Sequence, residues 1–342
     1  MIPNTGQYSP LAYFPPATAA FFGRHLNFSA GVIYYAMCLV SLLFSAVCVF
    51  LAMKILPEKK VLIFLLATTP MFLSIVAAVS ADSVTIVICF FISAWFLSQR
   101  KNFEPITYKE IFLLIIFSIC LGLLKSVYGT ILLLYFLMPH QRFKNVLHFA
   151  GFGIFLLALN LFTATIWLHT VTTLNNVEIY TTYYGGFNTD IELQKIFVME
   201  NPIQFVKIFF DSLSNFERWN ANWFIGLFGY AMDLPNIFCL IYFVALIFVA
   251  LIGKLNLKPF QFAVIFLATF ATFFGIFLVE YLFWTPVGEN SIWGVQGRYF
   301  IPIALSTFGI LPSFKSPKFA NLFVLLFGFI STIFTAWLIF SK

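Results

Sequence analysis

Residues 111–138 read IFLLIIFSICLGLLKSVYGTILLLYFLM, an apolar run interrupted by a single charge, Lys125. A perpendicular transmembrane helix needs about 20 residues. The run is therefore long for one span and short for two. It is either one helix with Lys125 buried at its centre, or two short helices meeting at Lys125-Ser126-Val127-Tyr128-Gly129. The choice sets the side on which every later loop emerges. Cytoplasmic loops carry an excess of Lys and Arg, and that rule favours two helices. The loops 54–60, 100–109, 139–145, 254–258 and 315–318 then share one side. They hold Lys54, Lys59, Lys60, Arg100, Lys101, Lys109, Arg142, Lys144, Lys254, Lys258, Lys315 and Lys318, twelve of the 19 cations, against Glu58, Glu104 and Glu110. With one helix the short basic loops split evenly. The basic side is read as cytoplasmic. The outer side carries the remaining acids, among them Asp82, Glu178, Asp190, Glu192, Asp211, Asp233, Glu280 and Glu289.

The rest of the chain has the same character. Of 342 residues, 61% are hydrophobic and 9% charged, where a soluble domain carries roughly 25% charged residues. That excludes a soluble enzyme, a disordered chain and a disulfide scaffold. Runs such as 61–66 and 111–116 are apolar on every face. They lack the alternation of a membrane β-barrel and read as helices. The expected fold is all-α, a polytopic transmembrane bundle of about ten spans at 29–53, 61–79, 83–99, 110–124, 127–138, 146–168, 235–253, 259–283, 299–312 and 319–340. It forms one integral membrane domain over 1–342: an outer-loop remnant with a short helix (1–28), six spans (29–168), an outer amphipathic segment (169–234) and four spans (235–342). Within the outer segment, 203–213 reads as a helix lying along the interface. An even number of spans puts both termini outside, and 1–26 reads as the tail of an outer loop whose preceding helix is missing.

A charge near the bilayer core costs about 2.5–3.5 kcal/mol on insertion scales, so the few ionisable groups at span ends carry the functional signal. Ser80-Ala81-Asp82-Ser83 is a polar turn in which Asp82 is either an N-cap group or a catalytic or metal-binding carboxylate. Lys125 either snorkels to the interface or serves as a point cation for a phosphate, with Tyr128 as a neutral donor. Gly294-Val295-Gln296-Gly297-Arg298-Tyr299-Phe300-Ile301-Pro302 either anchors the interface or lets backbone and Arg298 approach a ligand. Glu280 and Glu289 are the acids around that same outer loop, with Arg298 or Lys125 as the expected partner of Glu280. Arg24-His25 is a weaker candidate and reads as a surface pair. Cys38, Cys48, Cys89, Cys120 and Cys239 all lie in apolar stretches and read as free thiols. Gly151 and Gly153 read as helix-packing residues, and the 48 phenylalanines as lipid-facing and packing residues. No phosphate-binding loop, HExxH or GxSxG motif occurs, and nothing supports nucleic-acid binding.

Several strings taken together resemble a bacterial family of predicted membrane proteins of unknown function. They are Tyr8-Ser9-Pro10-Leu11-Ala12-Tyr13-Phe14-Pro15-Pro16, Leu56-Pro57, Thr69-Pro70-Met71, Ser80-Ala81-Asp82, Lys125-Ser126-Val127-Tyr128 and Gln296-Gly297-Arg298-Tyr299-Phe300-Ile301-Pro302. That family is similar to the GT-C superfamily of polyprenyl-phosphate-sugar glycosyltransferases. The resemblance implies a multi-helix core in a bacterial inner membrane with the active face outside, acting on a lipid-linked sugar and a glycan acceptor. It implies that Lys125, Tyr128, Gln296, Arg298 and Tyr299 hold the donor phosphate. Asp82 or Glu289 would activate the acceptor or bind a divalent cation. GT-C enzymes carry an acidic motif in the first outer loop, whereas 1–27 contain no Asp or Glu, so an inactive or truncated relative also fits. A transporter or flippase for a lipid-linked or amphipathic substrate, and a non-catalytic partner in glycan assembly, are the other two readings.

Overall fold

The computed structural model describes residues 8–175, 189–214, 221–228, 232–253, 255–311, 314 and 319–341. Each of the ten apolar stretches is helical within them, but they are not ten full-length spans. Among the described residues, five helices are long and apolar enough to cross a bilayer: α2 (Ala30–Ile55), α5 (Ala81–Gln99), α7 (Val146–Asn175), α12 (Pro259–Trp284) and α14 (Ala320–Phe340). A sixth crossing is obtained if the bent pair α3 (Lys60–Ala67) and α4 (Pro70–Val76) counts as one span. The bend is 78°. Pro70 has no N–H to continue the ladder and its ring disfavours helical backbone before it. Thr69 takes over as the cap, its hydroxyl accepting from the Phe72 amide at 3.3 Å.

The remaining stretches are shorter helices. They comprise α6 (Tyr108–Leu124), a 3₁₀ helix over Ser126–Leu137, α11 (Asn236–Ala250) and α13 (Ile301–Gly309). Upstream, α1 (Phe14–His25) packs back on α2, so much of the expected outer-loop tail is a helix. Between α7 and α11 lie α8 (Ile191–Glu200), α9 (Pro202–Ser214) and α10 (Ala221–Ile225). After α10 comes a two-stranded hairpin, β1 (Leu227–Phe228) with β2 (Met232–Asp233), pairing Leu227 with Asp233. Apart from these four residues the described elements are helical, and the all-α expectation holds.

The break at Lys125 is real: α6 stops there, with Lys125 in extended backbone (φ −135°, ψ 110°). The chain then continues as a 3₁₀ helix of 12 residues, far longer than the three or four that this helix usually sustains. A 3₁₀ helix rises about 2.0 Å per residue, so the segment covers roughly 24 Å where an α-helix would cover about 18 Å. Neighbours hold it in that stretched form. Tyr135 donates to the Phe149 carbonyl at 2.8 Å, and the Thr130 and Thr272 hydroxyls meet at 2.6 Å. Gly153 of α7 lets the aromatic pair come close, since a Cβ there would fall 2.8 Å from Tyr135 and 2.9 Å from Phe136. Gly151, by contrast, faces open space.

At the centre is α5, almost wholly buried, while most of α2, α7 and α14 is exposed. Their exposed residues, such as Leu39, Val47, Phe162, Leu325 and Phe329, are large and apolar. A surface of that composition is stable only against lipid. The α5 helix has 19 residues, so it spans about 28 Å, close to the hydrocarbon thickness.

One end of the bundle gathers the basic loops. Arg100, just after α5, pairs with Glu58 at 3.1 Å and donates to the Leu255 carbonyl at 3.0 Å. Lys59 donates to the carbonyls of Ala250 and Ile252 at 2.7 and 3.1 Å. Arg142 binds the Glu104 carbonyl at 2.7 Å, Gln99 at 2.8 Å and the Glu110 carboxylate at 2.6 Å. Four of the five basic loops thus interlock through these contacts. Buried cations satisfy carbonyls that the ends of α5 and α11 leave free. The fifth loop, 315–318, and Lys254 lie outside the described residues, as does Glu178.

Candidate functional site

The other end of α5 begins at a cap. Ser80 accepts from the Asp82 amide at 3.2 Å, so the cap is Ser80 and the Asp82 side chain is free for another role. That carboxylate meets Lys125 at 2.5 Å, with the two side chains only 20% and 17% exposed. The extended backbone at Lys125 turns the lysine across to α5. Burial pulls the lysine pKa down, but the facing Asp82 carboxylate outweighs it and holds the ammonium above its ordinary value. Lys125 is therefore a fixed cation and does not snorkel.

Aromatic rings complete its surroundings. The Lys125 Nζ lies 5.1 Å from the Tyr8 ring centroid and 5.5 Å from that of Tyr299. The Arg298 guanidinium lies 5.5 Å from the same Tyr299 ring, so one aromatic ring contacts two cations. Burial lowers the Arg298 pKa; Tyr299 and Asp82 raise it, and the net shift is upward. Its Nε is buried without a hydrogen-bond partner, and among the described residues Arg298 makes no ion pair.

The string Gly297-Arg298-Tyr299-Phe300 is a 3₁₀ turn leading into α13. Gly297 permits it to press on α10, since a Cβ would lie 2.5 Å from the Trp223 carbonyl carbon. Tyr128 donates to the Tyr299 carbonyl at 2.9 Å and is 2% exposed. Its hydroxyl proton holds the turn, where the sequence reading had it donate to a phosphate. Gln296 precedes the turn, and its carbonyl accepts from the Tyr299 amide at 3.0 Å.

Glu280 sits in the last turns of α12 and is 8% exposed, with Oε2 lacking a partner. It lies within electrostatic reach of Lys125 and Arg298, yet forms an ion pair with neither, contrary to expectation. The loop beyond it is stapled in place. Thr285 donates to the Glu280 carbonyl at 3.2 Å and accepts from the Trp293 amide at 3.1 Å. Gln194 of α8 bridges the Tyr281 carbonyl and the Gly288 amide, and Ser212 of α9 accepts from the Ile292 amide at 2.9 Å. The amphipathic α9 lies against α12 through Phe205 and Phe209, with Ile203 and Phe210 outward.

Glu289 stays at the edge of this loop. Its carboxylate accepts from the Asn290 amide at 3.0 Å and its carbonyl from Tyr281. The structure therefore joins Asp82, Lys125, Arg298, Tyr299 and Glu280 but leaves Glu289 outside. Arg24 is exposed on the last turn of α1. Among the described residues no three His, Cys, Asp or Glu side chains converge. Asp82 Oδ1 is taken up by Lys125. All five cysteines are free.

Sequence reasoning passed over two features of the site. Tyr8 was visible only as part of an aromatic–proline string without a chemical role. An apolar cavity of about 280 Å³ also opens beside the turn, lined by Phe224, Phe243, Phe270, Phe273, Phe300 and Phe308. Its phenylalanines come from several helices, and no local pattern in the sequence marks them as one wall.

A protein-family model described as a predicted membrane protein matches residues 2–307. The chain belongs to this family, DUF2142. The match takes in Tyr8, Asp82, Lys125, Glu280 and Arg298, so the whole site lies inside the DUF2142 region. No curated protein and no solved structure matches the chain.

Proposed function

We propose that this DUF2142 protein is a GT-C-like membrane glycosyltransferase of the bacterial inner membrane. It would take sugar from a polyprenyl-phosphate donor at the outer face, in cell-envelope glycan modification. The observation that carries this reading is Arg298. A cation with a buried, unpartnered Nε stands one residue from Tyr299, and the next residue, Phe300, lines an apolar cavity. An anionic head joined to a long apolar chain matches that pairing. Lys125, fixed by Asp82, supplies a second positive charge. The two cations would stabilise the phosphate leaving group as the sugar–phosphate bond breaks.

The test uses full-length protein in nanodiscs. Undecaprenyl phosphate is expected to bind, and Arg298→Ala to weaken that binding about 10- to 100-fold, the value of one hydrogen bond to a charged group. Unchanged binding in Arg298→Ala refutes the site. Sugar release from polyprenyl-phosphate hexoses then checks the chemistry. A transporter or flippase reading has one observation in its favour, the bent α3–α4 pair, because broken helices occur at substrate paths. Movement of the labelled lipid across the bilayer without release of sugar favours that reading. Binding without either activity favours a non-catalytic partner in glycan assembly.

A further inference from the structure

Among the described residues, two charged-type side chains at this site keep a buried atom without a hydrogen-bond partner. One is the Arg298 Nε; the other is Glu280 Oε2. An unpartnered carboxylate oxygen on a residue that is 8% exposed carries a desolvation cost that a protein seldom leaves unmet. The two cations nearest in charge do not meet it. Lys125 is turned to Asp82 at 2.5 Å, and Arg298 makes no ion pair among the described residues.

The loop facing Glu280 closes over that oxygen without bonding to it. Gly294 stands over it in left-handed backbone, at φ +81°. A Cβ on residue 294 would fall 2.6 Å from Glu280 Oε2 and 3.2 Å from the Trp284 Cβ. Any side chain would collide with the carboxylate and strain the backbone. The loop's own hydrogen bonds, through Thr285, Gln194 and Ser212, fix this glycine above the acid without using the carboxylate. The free oxygen can accept a hydrogen bond, and the nearby cations mark where an anion would lie.

We infer that Glu280, beneath Gly294, is a hydroxyl-recognition subsite that accepts a hydrogen bond from the sugar of a glycosyl lipid phosphate whose phosphate lies at Arg298 and Lys125. This rests on the lipid-phosphate reading above and adds to it a residue that distinguishes the glycosylated lipid from the bare one. It also separates the roles of the acids: Asp82 positions Lys125, Glu289 lies at the loop edge, and Glu280 faces the ligand.

The experiment compares two probes, undecaprenyl phosphate and undecaprenyl-phosphate hexoses (glucose, mannose and galactose), binding to wild-type protein, Glu280→Gln and Glu280→Ala in nanodiscs. Wild type is expected to bind at least one hexose form about 10-fold more tightly than the bare lipid phosphate. Both variants are expected to lose that preference while still binding the bare lipid phosphate. Retained binding of the bare lipid also reports that the variants are folded. Sugar preference that survives in both variants overturns the subsite and leaves the phosphate site standing. Equal binding of all probes by wild type overturns it in the same way. Failure of wild type to bind even the bare lipid overturns both the subsite and the reading on which it rests.

Discussion

Replacing Lys125 with Met, an uncharged side chain of similar length, isolates the ion pair at the end of α5. In the native protein Asp82 and Lys125 are 2.5 Å apart and about one-fifth exposed. Removing one member of a buried pair costs about 3–5 kcal/mol, because the other charge is left uncompensated. The residual exposure places this site at the low end, about 3 kcal/mol. Asp82→Asn is expected to cost a similar amount, since it leaves Lys125 without its counter-charge. The double variant has no orphaned charge. It is expected to cost less than the sum of the singles, with a coupling of about 2 kcal/mol, within the range seen for contacting groups. The assay is equilibrium unfolding of the four proteins in mixed dodecylmaltoside–SDS micelles. Folded Lys125 titrates above its ordinary value of 10.5. The contribution is therefore complete below that value and is lost only as the pH rises through the higher folded one. The Lys125→Met deficit should accordingly be constant between about pH 7 and 9. Additive single effects, or a deficit that changes over that range, would show that the pair does not anchor the site.

The same geometry sets three further outcomes. Gly297→Ala sets a Cβ 2.5 Å from backbone of Trp223, so it should destabilise the protein by about 1–3 kcal/mol in the same micelle assay; an unchanged midpoint would remove the close approach of the Arg298 turn to α10. Arg142→Met frees the Glu110 carboxylate, now held at 2.6 Å, and should cost about 3 kcal/mol, with Glu110→Gln partly rescuing it. In a cysteine-free background, single cysteines at Lys101 and Asn290, both exposed, should react with an impermeant maleimide from opposite sides of the membrane; labelling from one side would refute the two-ended arrangement of the bundle.

The positions of the helices were legible because lipid leaves no choice. Every apolar stretch must satisfy its own backbone polar groups, and each stretch read as a span is helical. Their lengths were less legible. Apolar composition looks the same in a helix that faces lipid along its whole length and in a short one enclosed by others. The α13 helix, nine residues with Ile301 and Leu305 buried, needs no bilayer-spanning length because protein surrounds it. The segment after Lys125 reaches further than its residue count implies because it is a 3₁₀ helix, and that form depends on contacts from α7 and α12 that no local pattern records.

The site was legible through scarcity. With 9% charged residues, each acid or cation at a span end had to have a reason, and Asp82, Lys125, Glu280, Glu289 and Arg298 stood out for that. Which charges neutralise each other could not be read, because Asp82 and Lys125 lie far apart in the chain and meet only where α6 breaks and Lys125 turns back to α5. Once that pair closes, the cost of burying Lys125 is met inside the protein, and the same holds for Asp82. Glu280 and Arg298 are different, since each keeps a buried atom without a partner. A buried orphan in an apolar protein persists when another requirement keeps it there. One orphan belongs to a guanidinium and the other to a carboxyl group, and the segment from Gly294 to Arg298 connects them. A ligand that answers both must present an anion to Arg298 and a hydrogen-bond donor to Glu280. A bare lipid phosphate offers only the first, and a glycosylated one offers both.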